Sequence, residues 1–134
     1  MKFLLDVNVL VAWGWADHAD HARVEKWLAR ERANPASLFL TSPIPELGFV
    51  RISVQRAEGQ ISVTDAAETL TGMVVALGGK HSFVSDDTPS RRFPAWCTTA
   101  SRTTDAHLAA LAANQGAKLA TLDERIPGAF LLPR

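Results

Sequence analysis

One cysteine, Cys97, stands among 134 residues, which excludes an internal disulfide framework and any cysteine-built zinc or iron–sulfur site within one chain. The expected role of Cys97 is that of a small, partly buried apolar residue. Net charge is also missing: 14 Lys and Arg oppose 14 Asp and Glu, so bulk charge does not draw a polyanion and nucleic-acid binding must be local. Long apolar runs are absent, stretches such as Val7 to Trp13 ending far short of the roughly 20 residues that cross a bilayer. Asp6 and Asn8 come too early for a signal-peptide apolar region, so no membrane contact and a cytoplasmic address are expected. There is no internal repeat, low-complexity tract or linker. Apolar residues at 47% and charged residues at 21% exclude a disordered or fibrous chain. The length suits a single domain over residues 1–134.

Lys2 to Leu5 reads first as a buried strand, although it could open the apolar stretch that continues to Trp13. His18 to Arg32 sets Ala22, Val24, Trp27 and Leu28 among charges, an amphipathic helix stopped by Asn34-Pro35. Leu38 to Thr41 is a second strand. Ser42-Pro43 opens a helix to about Arg56, with a capping hydroxyl and a first-turn proline. Ser62 to Leu77 is helical with Thr64 as its expected cap, and His81 to Ser85 is a third strand. Residues 86–102 form the longest loop. Thr104 to Gln115 is a largely buried helix ending at Gly116, and Lys118 to Leu122 is a strand ending at Asp123. Strands alternating with helices predict an α/β fold with a parallel sheet covered on both faces.

Asp6, Glu46, Asp105 and Asp123 interrupt segments that are otherwise apolar. Any one of them could serve a turn or a helix macrodipole. Together they fall at the C-terminal ends of strands or in the first turns of helices, which in a parallel α/β sheet share the edge where ligands bind. Carboxylates gathered there repel one another unless protons or cations compensate. A hard divalent cation with oxygen ligands, Mg²⁺ or Mn²⁺, is the natural compensator.

Leu4-Leu5-Asp6-Val7-Asn8-Val9-Leu10, Pro45-Glu46-Leu47-Gly48-Phe49-Val50-Arg51, Thr104 to Ala112 and Leu119-Ala120-Thr121-Leu122-Asp123-Glu124-Arg125 resemble, in order, the four sequence blocks of PIN-domain ribonucleases. More narrowly, they are similar to VapC-type toxins of bacterial toxin–antitoxin pairs. The resemblance implies a PIN-like three-layer α/β/α fold with a central, mainly parallel sheet. It implies a metal-dependent endoribonuclease with Asp6, Glu46, Asp105 and Asp123 as the acidic cluster and Asn8 and Thr121 as supporting polar positions. Asp6 and Asp105 are the first choice for direct metal ligands; Glu46 and Asp123 ligate directly or hold metal-bound waters. A VapB-like antitoxin and a homodimer are implied as well. The chain departs from the commoner family ending, which has an aromatic residue soon after the fourth acid, by placing Arg125-Ile126-Pro127 there. Glu124 is the possible substitute for Asp123.

Two other functions fit some of these residues. Asp6-Val7-Asn8 resembles the nucleophile motif of haloacid-dehalogenase-like phosphatases, but Asn8 replaces the second Asp; a non-catalytic PIN-like RNA-binding module would keep the acids for a structural cation. No Cys-His pair, glycine-rich phosphate loop or His-Glu-x-x-His helix offers another chemistry. Arg91, Arg92, Phe93 and Trp96 in the long loop are candidates to touch RNA, through phosphate pairing and base stacking. His18 and His21 mark a solvated helix start, and His107 is expected to pack or face solvent. Asp86-Asp87 reads as a turn, Arg23, Lys26 and Arg30 as solvated surface. Trp13, Trp15, Trp27 and Met73 read as core or subunit-interface residues, the tryptophan-rich N-terminal region being the apolar surface that a dimer would cover.

Overall fold

A computed structural model describes residues 1–134. Five strands, β1 (Lys2–Leu5), β2 (Leu38–Thr41), β3 (His81–Phe83), β4 (Lys118–Thr121) and β5 (Phe130–Leu131), form one sheet in the order β3-β2-β1-β4-β5. Every pairing is parallel. The helices are α1 (Val7–Gly14), α2 (His21–Ala33), α3 (Pro43–Arg56), α4 (Val63–Leu77) and α5 (Thr103–Asn114).

Strand alternation divides the core. Phe3, Leu5, Phe39 and Ala120 point to the face covered by α1, α2, α3 and α4, where Trp27 and Phe49 are fully buried. Leu4, Leu40 and Leu119 point to the opposite face, covered by Leu108, Leu111 and Ala112 of α5. The result is the expected three-layer α/β/α arrangement. Trp13 and Trp15 pack against the larger core, and Trp15 Nε1 donates to Ser53 Oγ at 3.0 Å. The tryptophans are therefore largely consumed by the fold and leave no exposed N-terminal apolar face.

Several local expectations need correction. α1 is an eight-residue helix following Asp6; with four consecutive buried residues, Val9 to Ala12, it lacks the polar stripe that marks an amphipathic helix. Ser62, not Thr64, caps α4: its hydroxyl accepts from Asp65 N–H while the Asp65 carboxylate accepts from Ser62 N–H, each at 2.9 Å. Ser42 stands at the N-cap of α3, yet its buried hydroxyl has no partner. Pro45 occupies the third helical position and lacks the N–H that a cap would bind. β3 ends at Phe83 rather than Ser85, and β5, two residues long after Pro127-Gly128, carries too little pattern to read.

Gly48 explains part of the second block. A Cβ there would stand 2.8 Å from Val7 Cγ2, so its absence lets α3 approach α1 directly behind Asp6.

Candidate active site

The chain lays β1, β2 and β3 outward to one side, then returns to place β4 and β5 on the other side of β1. The strand order therefore reverses between β1 and β4, the kind of switch point where open parallel sheets bind ligands at their C-terminal ends. Asp6 follows β1 and Asp123 follows β4, so they flank that point.

Asp6 is 6% exposed and caps α1, its Oδ1 accepting from Val7 N–H at 2.7 Å. Its Oδ2 accepts from the Thr121 hydroxyl, also at 2.7 Å. That hydroxyl in turn accepts from Asn8 Nδ2 and from Asp123 N–H, both at 3.1 Å. Asn8 Oδ1 accepts from Leu122 N–H at 3.1 Å, which fixes the amide orientation and leaves Nδ2 to donate. Asn8 and Thr121 thus join α1 to the end of β4 around the Asp6 carboxylate.

Burial raises the Asp6 carboxyl above its ordinary pKa; the Thr121 hydroxyl and Val7 N–H oppose this, and the charges of Asp105 and Asp123 add to it. Asp105, in the first turn of α5, is raised too, by burial and then by Asp123, with Arg102 and Arg125 opposing. Asp123 differs. Arg125 grips it with Nε to Oδ1 at 3.0 Å and Nη2 to Oδ2 at 3.1 Å, and this contact holds its carboxyl below the ordinary range. Asp123 already has a cation; Asp6 and Asp105 do not. Glu124 beside it is exposed.

Glu46 lies in the first turn of α3, at the same sheet edge but toward β3. Its Oε2 accepts from the Thr41 hydroxyl at 2.6 Å, and that oxygen accepts from His81 Nε2–H at 2.7 Å. His81 has its pKa lowered by burial, with Glu46 opposing, so the neutral ring is the favoured donor. Neither Thr41 nor His81 is visible as a partner in the sequence; the only signal was a polar residue ending one strand and beginning the next.

Side chains alone do not close a cage, since no group of three or more His, Cys, Asp or Glu residues is gathered closely enough. A divalent cation held here would complete its coordination with waters or substrate oxygens.

Other candidates fare variously. Trp96 packs against the α5-side core with Arg102 over its ring at 4.8 Å, so it is less free to stack on a base than its loop position suggests. Phe93, Arg91 and Arg92 are exposed. His107 neither packs in isolation nor faces solvent: its Nε2 meets Asp86 Oδ2 at 2.6 Å with both side chains nearly buried. Asp86 thereby ties the long loop to α5. Arg23 is not solvated surface, since it donates to the carbonyls of Leu132 and Pro133 and so fastens the C-terminus to α2. His18 and His21 serve local hydrogen bonds, to Asp20 N–H and the Ala12 carbonyl.

A family model for the PIN domain matches residues 3–129. The chain belongs to the PIN-domain family. Among PIN-domain proteins it is 41% identical over 128 residues to Ribonuclease VapC39 of Mycobacterium tuberculosis, spanning 92% of this chain and 89% of that one. It is 38% identical over 123 residues to Ribonuclease VapC38 of the same organism, spanning 90% and 84%. These likenesses place it with the VapC ribonucleases. The crystal structure of M. tuberculosis VapC20, a sarcin–ricin-loop-cleaving toxin, has the same fold, with a TM-score of 0.64 over 98% of this chain and 99% of that chain at 13% identity. The PIN-domain assignment removes the phosphatase alternative. VapC nucleases generally depend on a divalent metal ion and imply an RNA substrate and a VapB antitoxin. No helix is long and apolar enough to cross a membrane.

Proposed function

We propose that this PIN-domain chain is an Mg²⁺- or Mn²⁺-dependent endoribonuclease, the cytoplasmic toxin of a VapBC pair, folded as one domain. The observation that carries the reading is the Asp6–Thr121–Asn8 network at the switch point, with two further carboxylates beside it and a cation partner for only one of the three.

In this reading Asp6 and Asp105 hold the ion, because neither is in an ion pair and burial disfavours their charged forms until a cation joins them. Asp123, engaged by Arg125, and Glu46, engaged by Thr41 and His81, stand at the margins, where they orient water or join the ligand set as side chains turn. A bound divalent cation supplies charge neutralisation at the phosphate and activation of water for in-line attack. Thr121 holds the Asp6 carboxylate in place and favours its ionised form. Asn8 holds Thr121 and is itself held by Leu122 N–H, so the first and fourth sequence blocks act as one unit. Arg91, Arg92 and Phe93 provide an exposed basic and aromatic approach for single-stranded RNA.

A homodimer is inferred from the family likeness. The apolar surface open to it is not the N-terminal tryptophans but Leu47, Val75 and Phe83 along a groove between α3 and α4. Light scattering at micromolar protein should give twice the chain mass; the mass of one chain would contradict the inference.

The direct test is purified protein with end-labelled structured RNAs, with Mg²⁺, with Mn²⁺ and with EDTA. Discrete cleavage products in either metal and none in EDTA are expected. RNA that is bound but uncut in both metals would favour the non-catalytic module.

A further inference from the structure

Beside the acidic edge, between the first turns of α3 and α5, the long loop borders an open cavity of about 300 Å³. Its lining is Ile44, Ser90, Phe93, Thr103, Thr104 and His107. Thr104 directly precedes Asp105, and Ile44 lies two residues before Glu46, so the cavity adjoins both acidic helix starts while containing neither acid. No Lys or Arg lines it, so it is not built for a phosphate. It offers instead an exposed aromatic ring, an aliphatic side chain, three hydroxyls and an imidazole.

Two of those polar groups have their hydrogens committed elsewhere. The His107 Nε2–H is held by the Asp86 carboxylate, which accepts only, so Nδ1 is the ring nitrogen left to meet a ligand. Thr103 Oγ1 donates to the Ala100 carbonyl at 2.8 Å and likewise keeps acceptor capacity. Acceptors suit a ligand edge that donates. Phe93, 44% exposed, provides a stacking face. The Asp86–His107 contact and the Asp86-to-Thr88 N–H bond at 3.0 Å fix the loop base, so this wall is formed before any ligand arrives.

Resting on the nuclease reading above, we propose that this cavity is a base-recognition subsite, in which Phe93 stacks on one unpaired nucleobase of the RNA and His107 and Thr103 accept from its exocyclic amino group. Adenine, cytosine and guanine carry such a group and uracil does not. The subsite therefore discriminates against uridine at one position near the scissile bond, and His107 acts as a specificity-determining residue that Asp86 positions.

The probe is a single-stranded RNA pool randomised over a short window, used in two ways: selection by binding in EDTA, and mapping of cut sites in Mn²⁺. Wild-type protein should disfavour uridine by about tenfold at one position in both. Phe93→Ala should flatten that preference, and Phe93→Tyr should restore it. His107→Lys, whose ammonium can still pair with Asp86 but which carries no acceptor, should lose it at the same position only. Asp87→Asn, on the same loop and exposed, should behave as wild type. Uniform base use by wild-type protein, or an unchanged preference in both Phe93→Ala and His107→Lys, overturns the subsite. Selective binding without cleavage would sink the nuclease reading and leave the subsite standing; cleavage with no Phe93 or His107 dependence would do the reverse.

Discussion

The Thr121 hydroxyl donates to Asp6 Oδ2 at 2.7 Å across the seam between β1 and β4. The register makes this contact: Leu5 pairs with Ala120, so the next residues on each strand, Asp6 and Thr121, emerge side by side where the chain reverses its order of strand addition. The same hydroxyl accepts from Asn8 and Asp123 N–H, so all its capacity is used.

Thr121→Val keeps the shape and removes that capacity. It leaves Asn8 Nδ2 and Asp123 N–H without their acceptor and Asp6 with one hydrogen bond fewer, so a stability loss of about 1–3 kcal/mol is expected. Mn²⁺ affinity should fall about 10- to 100-fold, as is usual when a partner of a metal-binding group is removed. Thr121→Ser should restore most of both. Titration calorimetry and chemical denaturation measure the two effects, and a valine variant with wild-type Mn²⁺ affinity would show that the network does not position Asp6.

Protons and metal compete at this edge. Asp6 and Asp105 have raised carboxyl pKa values, so each contributes stability that is present below the ordinary carboxylate value of 3.8 and lost as pH rises through the folded value. The stability of Asp6→Asn relative to wild type, measured in EDTA, should therefore decline as pH is lowered through the folded Asp6 pKa, because the asparagine has no buried charge to relieve. A difference that does not change with pH, or that grows on acidification, would contradict the placement of Asp6. Metal binding has the opposite slope: below the folded pKa values Mn²⁺ affinity should fall about tenfold per pH unit for each carboxylate involved.

The acids were legible because each interrupts an apolar segment, and the charges of Asp105 and Asp123 act on Asp6 across the sheet edge. What surrounds them was not. Thr41 and His81 meet through the pairing of β2 with β3, 40 residues apart in the chain, and nothing local in either segment announces that contact. Arg125 looked like a departure from the family ending; only the turn after β4 shows it folding back onto Asp123. His107 and Asp86 pair over 21 residues through a loop without periodicity. α1 was obscured by its burial, although Asp6 before an apolar run was a capping signal. Strand and helix bounds were clearest where a polar face or a proline marked them, as in β2 and α3, whose observed limits coincide with the expected ones.

Gly48 tests packing behind the site. A methyl group there meets the β-branched Val7 side chain, so Gly48→Ala should force α1 and α3 apart and lower stability by about 1–3 kcal/mol despite alanine's better helix propensity. Because Val7 adjoins Asp6, Mn²⁺ affinity should fall as well. Gly72→Ala, with open space around its Cβ in α4, is the control and should leave stability unchanged or slightly higher. Equal Tm values for the two variants would contradict the close approach.

Arg125 also suggests how a partner would act, since a guanidinium already occupies one carboxylate of the edge. An arginine from the antitoxin's C-terminal segment, inserted between Asp6 and Asp105, would pair with carboxylates that now lack a cation. A peptide of that segment should lose affinity for the toxin as Mn²⁺ rises, and replacing its central Arg by Ala should weaken inhibition. Tight binding with no dependence on Mn²⁺ and no effect on cleavage would place the partner elsewhere.

The metal-binding role proposed for Asp6 requires that RNA cleavage depend on its carboxylate. Cleavage of a labelled RNA in Mn²⁺ by Asp6→Asn and by Asp17→Asn, both confirmed as folded by circular dichroism, tests it most directly. Asp17 is an exposed acid paired with Arg56 away from the switch point. No detectable cleavage and weakened Mn²⁺ binding are expected for Asp6→Asn, with wild-type values of both for Asp17→Asn; cleavage surviving in folded Asp6→Asn, or lost equally in the two, would contradict that role.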